Sequence, residues 1–269
     1  MSDIYIDVSF SAAKLQAQNL IKNRTIFKDK EILIVCIGGT IIMEKTDNEL
    51  IYRKNYLKEY FFNHPGICDK NKTFTHSKHL FKDIDSIDIS EDFFLYTPTN
   101  IFNRRIKFKL LDIDEPIEGN NVGINDWKYI GNLIKENYAK YDGFIILHGL
   151  DTMTYSASVL SFMFENLDKT VVMTSSCIPI GEMRNDALVN IIDAITVAGT
   201  FHIPEVTIMC NSKLYRGNRS IRVDNVNLNC YTTPNLPCLI DIGIFINVNW
   251  ELILPPPTDS FNYFNVRIS

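Results

Sequence analysis

Gly143-Phe144-Ile145-Ile146-Leu147-His148-Gly149-Leu150-Asp151-Thr152-Met153 is an apolar run that empties into a polar, glycine-bearing turn. The run reads as a buried strand, and Asp151 or Thr152 then serves as the N-cap of a following helix. Upstream, Glu31-Ile32-Leu33-Ile34-Val35-Cys36-Ile37 is a second apolar run, and it ends in Gly38-Gly39-Thr40-Ile41. Two strands thus deliver small polar residues, Thr40 and Asp151 among them, to what reads as one sheet edge. In a parallel sheet, ligands bind beyond the carboxyl ends of the strands, where glycines let backbone amides approach a substrate or an oxyanion. Each turn taken alone is equally an ordinary strand-to-helix connection.

Helix and strand patterns alternate around these runs. Trp127, Ile130, Ile134 and Tyr138 fall at helical spacing, with Asn125 as the expected cap. After the 143–148 strand, Met153, Ala157, Leu160 and Phe164 repeat the helical pattern, and Thr170–Thr174 is another buried strand. The 182–198 segment offers Met183, Leu188, Ile191, Ile192 and Ile195 as an inward face, and 205–210 supplies a further strand. The alternation predicts an α/β fold, a largely parallel sheet flanked by helices. We divide the chain into an N-terminal extension (1–30), an α/β domain (31–250) and a linker-like tail (251–269). Residues 53–104 break the rhythm around His64-Pro65-Gly66 and read as an insertion: a lid, an interaction surface or, as the composition favours, a poorly ordered loop.

The chain's 269 residues are 46% hydrophobic, enough for a sizeable core in one large or two small domains. A formal charge of -5 gives no global attraction for nucleic acid or an anionic membrane. Residues 1–30 lack the layout of a secretory signal and no stretch approaches an uncharged 18-residue span, so the expected location is cytoplasmic, with no membrane partner. Cys36, Cys68, Cys177, Cys210, Cys230 and Cys238 show no CxxC spacing and read as buried, reduced thiols. His76 and His79 share a helical spacing without a matching ligand pair, so no metal is expected there. No glycine-rich nucleotide fingerprint follows a strand, and no cofactor is implied. The 12 Tyr and 17 Phe are spread through the chain and read as core packing.

Taken together and in order, the GGTI and HG-Leu-DTM turns resemble those of the L-asparaginase family, nearest its cytoplasmic, type I branch. The resemblance continues through Ser158–Leu167, Lys169–Thr174, Arg184-Asn185-Asp186, Asn190, Leu214-Tyr215-Arg216-Gly217-Asn218-Arg219 and Thr233-Pro234-Asn235-Leu236-Pro237, covering roughly residues 30–50 and 105–247. It implies the family's N-terminal-domain fold, with Thr40 as the nucleophile that attacks the side-chain amide of L-asparagine. Water then resolves the acyl-enzyme to L-aspartate and ammonia. Gly38 and Gly39 allow close approach, and the Gly39 and Thr40 amides stand near the oxyanion.

The family's second catalytic cluster, Thr-Asp-Lys, reads Leu150, Asp151 and Arg222 here. Leucine transfers no proton, and arginine stays protonated where a desolvated lysine can act as a base. The family's substrate-binding Asp-Ser pair aligns with Glu118-Gly119, followed by Asn120; Glu118 can hold an ammonium group, whereas Gly119 offers only backbone. The loop tyrosine aligns nearest Leu50, with Tyr52 two residues on.

Three readings stay open from the sequence. One is an amidohydrolase acting on L-asparagine or a related small amino acid with diminished activity. Another is a pseudoenzyme that binds a small amino acid, a paralogue or a second copy of itself as a homo-oligomer; there Leu150 packs into a collapsed pocket, Asp151 caps a helix and Arg222 pairs with it. The last is a truncated gene product, because only twelve residues follow Pro255-Pro256-Pro257, where the family carries a smaller C-terminal domain.

Overall fold

The computed structural model describes residues 29–47, 49–77, 92–257 and 263–268. Its strands are β1 (Glu31–Gly38), β2 (Met43–Lys45), β3 (Leu50–Tyr52), β4 (Leu95–Tyr96), β5 (Lys107–Ile117), β6 (Gly143–Leu147), β7 (Phe164–Glu165), β8 (Thr170–Thr174), β9 (Val206–Cys210), β10 (Lys213–Arg216), β11 (Ile221–Arg222), β12 (Tyr231–Thr232), β13 (Ile240–Ile242), β14 (Ile246–Val248) and β15 (Asn265–Val266). The helices are α1 (Tyr56–Asn63), α2 (Lys70–Ser77), α3 (Ile124–Asn137), α4 (Met153–Met163) and α5 (Ala187–Thr200). The main sheet runs β14-β13-β10-β9-β8-β6-β1-β5-β4. Its centre, β9-β8-β6-β1-β5, is parallel, and antiparallel strands finish both edges.

Central parallel strands are covered on both faces, which is why β6, β8 and β9 are buried throughout and mostly apolar. The two-residue period of β1 divides its side chains accordingly. Ile32, Ile34 and Cys36 enter a core shared with α1 and α5, whereas Leu33, Val35 and Ile37 enter the core beneath α3 and α4.

Local expectations change at four places. Helix α3 starts one residue before Asn125, and Gly123 is its cap: the Asp126 carboxylate accepts the Gly123 N–H at 2.7 Å, doing the work assigned to Asn125. Met183 faces solvent entirely, because α5 begins only at Ala187. The preceding turn is held irregular by the Asp186 carboxylate, which accepts Cys177 N at 2.9 Å and Ile178 N at 3.0 Å.

Within 53–104, where a poorly ordered loop is expected, the described part forms α1, α2 and β4. Asp112 on β5 accepts the N–H of Asn55, a residue at φ 64°, and α1 then buries Tyr56, Leu57, Phe61 and Phe62 in the core. The fixing partner lies in a distant strand, so local composition does not reveal it. His76 stacks on Tyr96 with ring centroids 4.5 Å apart, and His79 lies outside the described residues. The segment read as a linker-like tail returns to the domain: β15 pairs with β7, and Phe264 stacks on Tyr138 at 3.7 Å.

At the amino edge of β1, the Lys30 amine donates to Phe201 O at 2.9 Å and Ala198 O at 3.5 Å, carbonyls at the C-terminal end of α5. Burial pushes its pKa down to about 8 from 10.5, with the Asp142 carboxylate opposing and Arg104 reinforcing the shift. Between those values the unfolded chain binds the proton that the native chain has released, so stability rises with pH. Urea titrations of the native chain against Lys30→Met are expected to show their stability difference shifting in favour of the native chain by roughly 3 kcal/mol from about pH 8 to about pH 10.5. A difference that stays flat across that window would mean the buried amine keeps its charge.

Candidate active site

The chain passes from β1 to β5 on one side and then to β6 on the other, so strand order reverses beside β1. That switch point is where an open α/β sheet leaves a crevice beyond its carboxyl ends. Three turns meet there, backbone against backbone. A Cβ on Gly38 would stand 2.0 Å from Ile117 O, and one on Gly39, at φ +85°, would stand 2.6 Å from the Gly149 Cα. Gly119 and Gly149 press on each other: a Cβ on Gly149 would lie 2.2 Å from the Gly119 Cα. The Thr152 hydroxyl, at the first position before α4, donates to Gly119 O at 2.7 Å and ties the β5 and β6 turns together. It does not cap the helix.

His148 continues the ladder, donating its N–H to Thr174 O at 3.0 Å. Burial pushes its imidazole pKa down, countered by the Gly149 carbonyl 2.8 Å from Nδ1. The ring is therefore neutral near pH 7, with Nδ1 as the protonated nitrogen. Its Nε2 has no hydrogen-bonding partner among the described residues.

Thr40 opens a single 3-10 turn, Thr40–Ile42, that the buried side chains of Ile41 and Ile42 anchor to the core. Across the switch point stand Leu150 and Asp151. Arg222 Nη1, on β11, donates to the Asp151 carboxylate. Desolvation works against the guanidinium, but Asp151 outweighs it and raises its pKa further, so Arg222 stays charged. On the paired strand, buried Tyr231 donates its hydroxyl to Leu150 O at 2.6 Å. The β11–β12 hairpin thus grips the β6 turn twice, and the Leu150 side chain packs against the core beneath α3 and α4.

The structure gathers Gly38, Gly39, Thr40, Gly119, Leu150, Asp151 and Arg222 around the same carboxyl edge. Glu118 and Asn120 flank Gly119 and are exposed. Tyr52, on the β2–β3 hairpin, spends its hydroxyl on Ile113 O at 3.1 Å; burial foremost, aided by Asp112, pushes its pKa up to about 12. Sequence reasoning did not find Tyr231 or the Thr152–Gly119 bond. Only the pairing of Arg222 with Tyr231 across the hairpin points to the tyrosine.

The fold and this edge define a class: a doubly covered α/β sheet whose glycine turns carry a threonine and an aspartate to the switch point. The family described as Asparaginase, N-terminal, matches residues 31–254, and the chain belongs to the asparaginase family. It is 31% identical over 231 residues to an L-asparaginase of Dirofilaria immitis, and 32% identical over 233 residues to a 60 kDa lysophospholipase of Mus musculus. Both matches cover 86% of this chain and 38% of the relative, so the chain spans about two fifths of the length of these curated relatives. The crystal structure of L-asparaginase I from Vibrio cholerae superposes with a TM-score of 0.69 at 32% identity, over 89% of this chain and 61% of that one.

Proposed function

We propose that this chain is an asparaginase-type amidohydrolase domain that keeps the threonine turn but has lost proton transfer, leaving a site for L-asparagine or a related small amino acid. The Asp151–Arg222 ion pair beside Leu150 carries this reading. The Arg222 guanidinium occupies an oxygen of the Asp151 carboxylate, and Leu150 has no hydroxyl to relay a proton. Losing one member of a cooperating catalytic set costs on the order of 10³-fold in rate. Exposed Glu118 supplies a carboxylate for an α-ammonium group, and the glycine turns supply backbone amides. The names of the asparaginase relatives support L-asparagine as the first ligand to try.

Ammonia release from millimolar L-asparagine, with Thr40→Ala assayed alongside and L-asparagine binding followed by calorimetry, tests the proposal. Equal background release from both proteins, together with a binding heat, is expected. Turnover that disappears in Thr40→Ala would restore the working hydrolase in place of this reading.

A further inference from the structure

Three of the six cysteines gather beside the same edge. Cys177 follows β8, Cys210 ends β9 and Cys230 immediately precedes β12. The sulfurs of Cys177 and Cys230 are 3.5 Å apart, and those of Cys210 and Cys230 each lie 3.4 Å from Leu228 O. All three are free thiols; Cys177 is half-buried and the other two are buried. Both ends of the Cys177–Cys230 pair are held by hydrogen bonds, Cys177 N to the Asp186 carboxylate at 2.9 Å and Val223 N to Cys230 O at 2.8 Å. A disulfide needs about 2.05 Å between sulfurs, so the pair has about 1.5 Å to close. Among the described residues no group of three or more His, Cys, Asp or Glu is disposed to hold a metal ion.

We propose that Cys177 and Cys230 form a reversible oxidation site, closed to a disulfide by hydrogen peroxide or another small hydroperoxide. The half-buried Cys177 meets the oxidant first. Its thiolate attacks a peroxide oxygen, the O–O bond breaks, and the departing hydroxide takes a proton to become water, leaving a sulfenic acid. The Cys230 sulfur then attacks the Cys177 sulfur, the S–O bond breaks, and a second water departs with the Cys230 proton. Two thiols give up two electrons and two protons, and one hydrogen peroxide becomes two waters.

The bond would join the turn after β8 to the hairpin that holds the β6 turn. Cys230 adjoins Tyr231, the residue bonded to Leu150 O, and β12 pairs with the strand that carries Arg222. Any effect on ligand binding rests on the function proposed above; formation of the disulfide does not. Burial pushes the Cys177 thiol up to about 12, with Cys230 and Asp186 adding to the shift and Arg222 opposing it, whereas the hydrogen bond with Cys230, against burial, holds the Cys210 thiol below its usual value and makes Cys210 the competing site of oxidation. Thiolate at Cys177 is therefore scarce near neutrality, and its oxidation rate is expected to rise about tenfold per pH unit between about 7 and 9.

The test treats the full chain with hydrogen peroxide, blocks residual thiols with iodoacetamide, and maps non-reduced peptides by mass spectrometry. A Cys177–Cys230 linked peptide is expected, absent from Cys177→Ser and removed by dithiothreitol. Cys177 is only half-buried, so this variant tests the bond with little burden on folding, and an unchanged thermal melt verifies that. A Cys210–Cys230 link, sulfinic acid at Cys177 without a link, or untouched thiols would each overturn the proposal. Ammonia release plays no part in the readout, so failure here is separate from failure of the functional reading.

Discussion

The double substitution Leu150→Thr with Arg222→Lys is expected to raise ammonia release from L-asparagine by about 10²–10⁴-fold over the native chain, the range that positioned acid–base groups contribute. Leu150→Thr places a hydroxyl on the turn opposite Thr40. Arg222→Lys replaces a guanidinium that keeps its proton with an amine whose pKa falls readily on burial. The local frame is built to survive both changes, because Tyr231 holds the backbone carbonyl of Leu150 and not its side chain. Each single substitution is expected to do little, since the members of a proton-transfer set act as a unit. A folded double variant whose ammonia release stays at background, and is unchanged by adding Thr40→Ala, would show that the defect lies elsewhere than in these two side chains.

Glu205→Ala is expected to cost about 3–5 kcal/mol of stability, the scale of breaking a buried ion pair from one side. Glu205 is 5% exposed and precedes β9. Its carboxylate takes Arg216 Nη2 at 3.1 Å, a second bond from Arg216 Nε, and Leu254 N at 2.8 Å. Arg216 also donates to Leu252 O, so the pair clamps the 252–254 segment against β9 and β10. Removing the carboxylate strands a mostly buried guanidinium and frees that segment. Combining Glu205→Ala with Arg216→Met is expected to be milder than Glu205→Ala alone, because no lone charge stays buried. Urea unfolding of the three variants measures this; a single-variant loss under about 1 kcal/mol would mean the arginine simply rehydrates.

The parallel centre of the sheet was legible in the sequence because each strand buried on two faces is a short apolar run closed by a glycine or polar turn. The contact between Arg222 and Asp151, 71 residues apart, was legible as one of several alternatives, since both side chains carry charge and sit in recognisable motifs. The bond from Tyr231 to Leu150 O, 81 residues away, was not, because a backbone carbonyl has no signature in the text. Helix α1 escaped for a related reason: its start is set by Asp112 of a strand 57 residues downstream. Met183 reads as inward because its hydrophobicity fits a helical period, whereas Asp186 holds the turn around it out of the helix.

The Gly119–Gly149 contact makes the two turns one unit for sequence change. A side chain entering at 119 meets the Gly149 Cα at 2.7 Å, and one entering at 149 meets the Gly119 Cα at 2.2 Å. Neither position can be altered until the other backbone has withdrawn, and the Thr152 bond resists that withdrawal. Position 119 is therefore closed to stepwise change: a substrate-binding side chain there becomes tolerable only after a loop rearrangement that has no benefit by itself. The order of changes, and not only their identity, limits which relatives this sequence can reach.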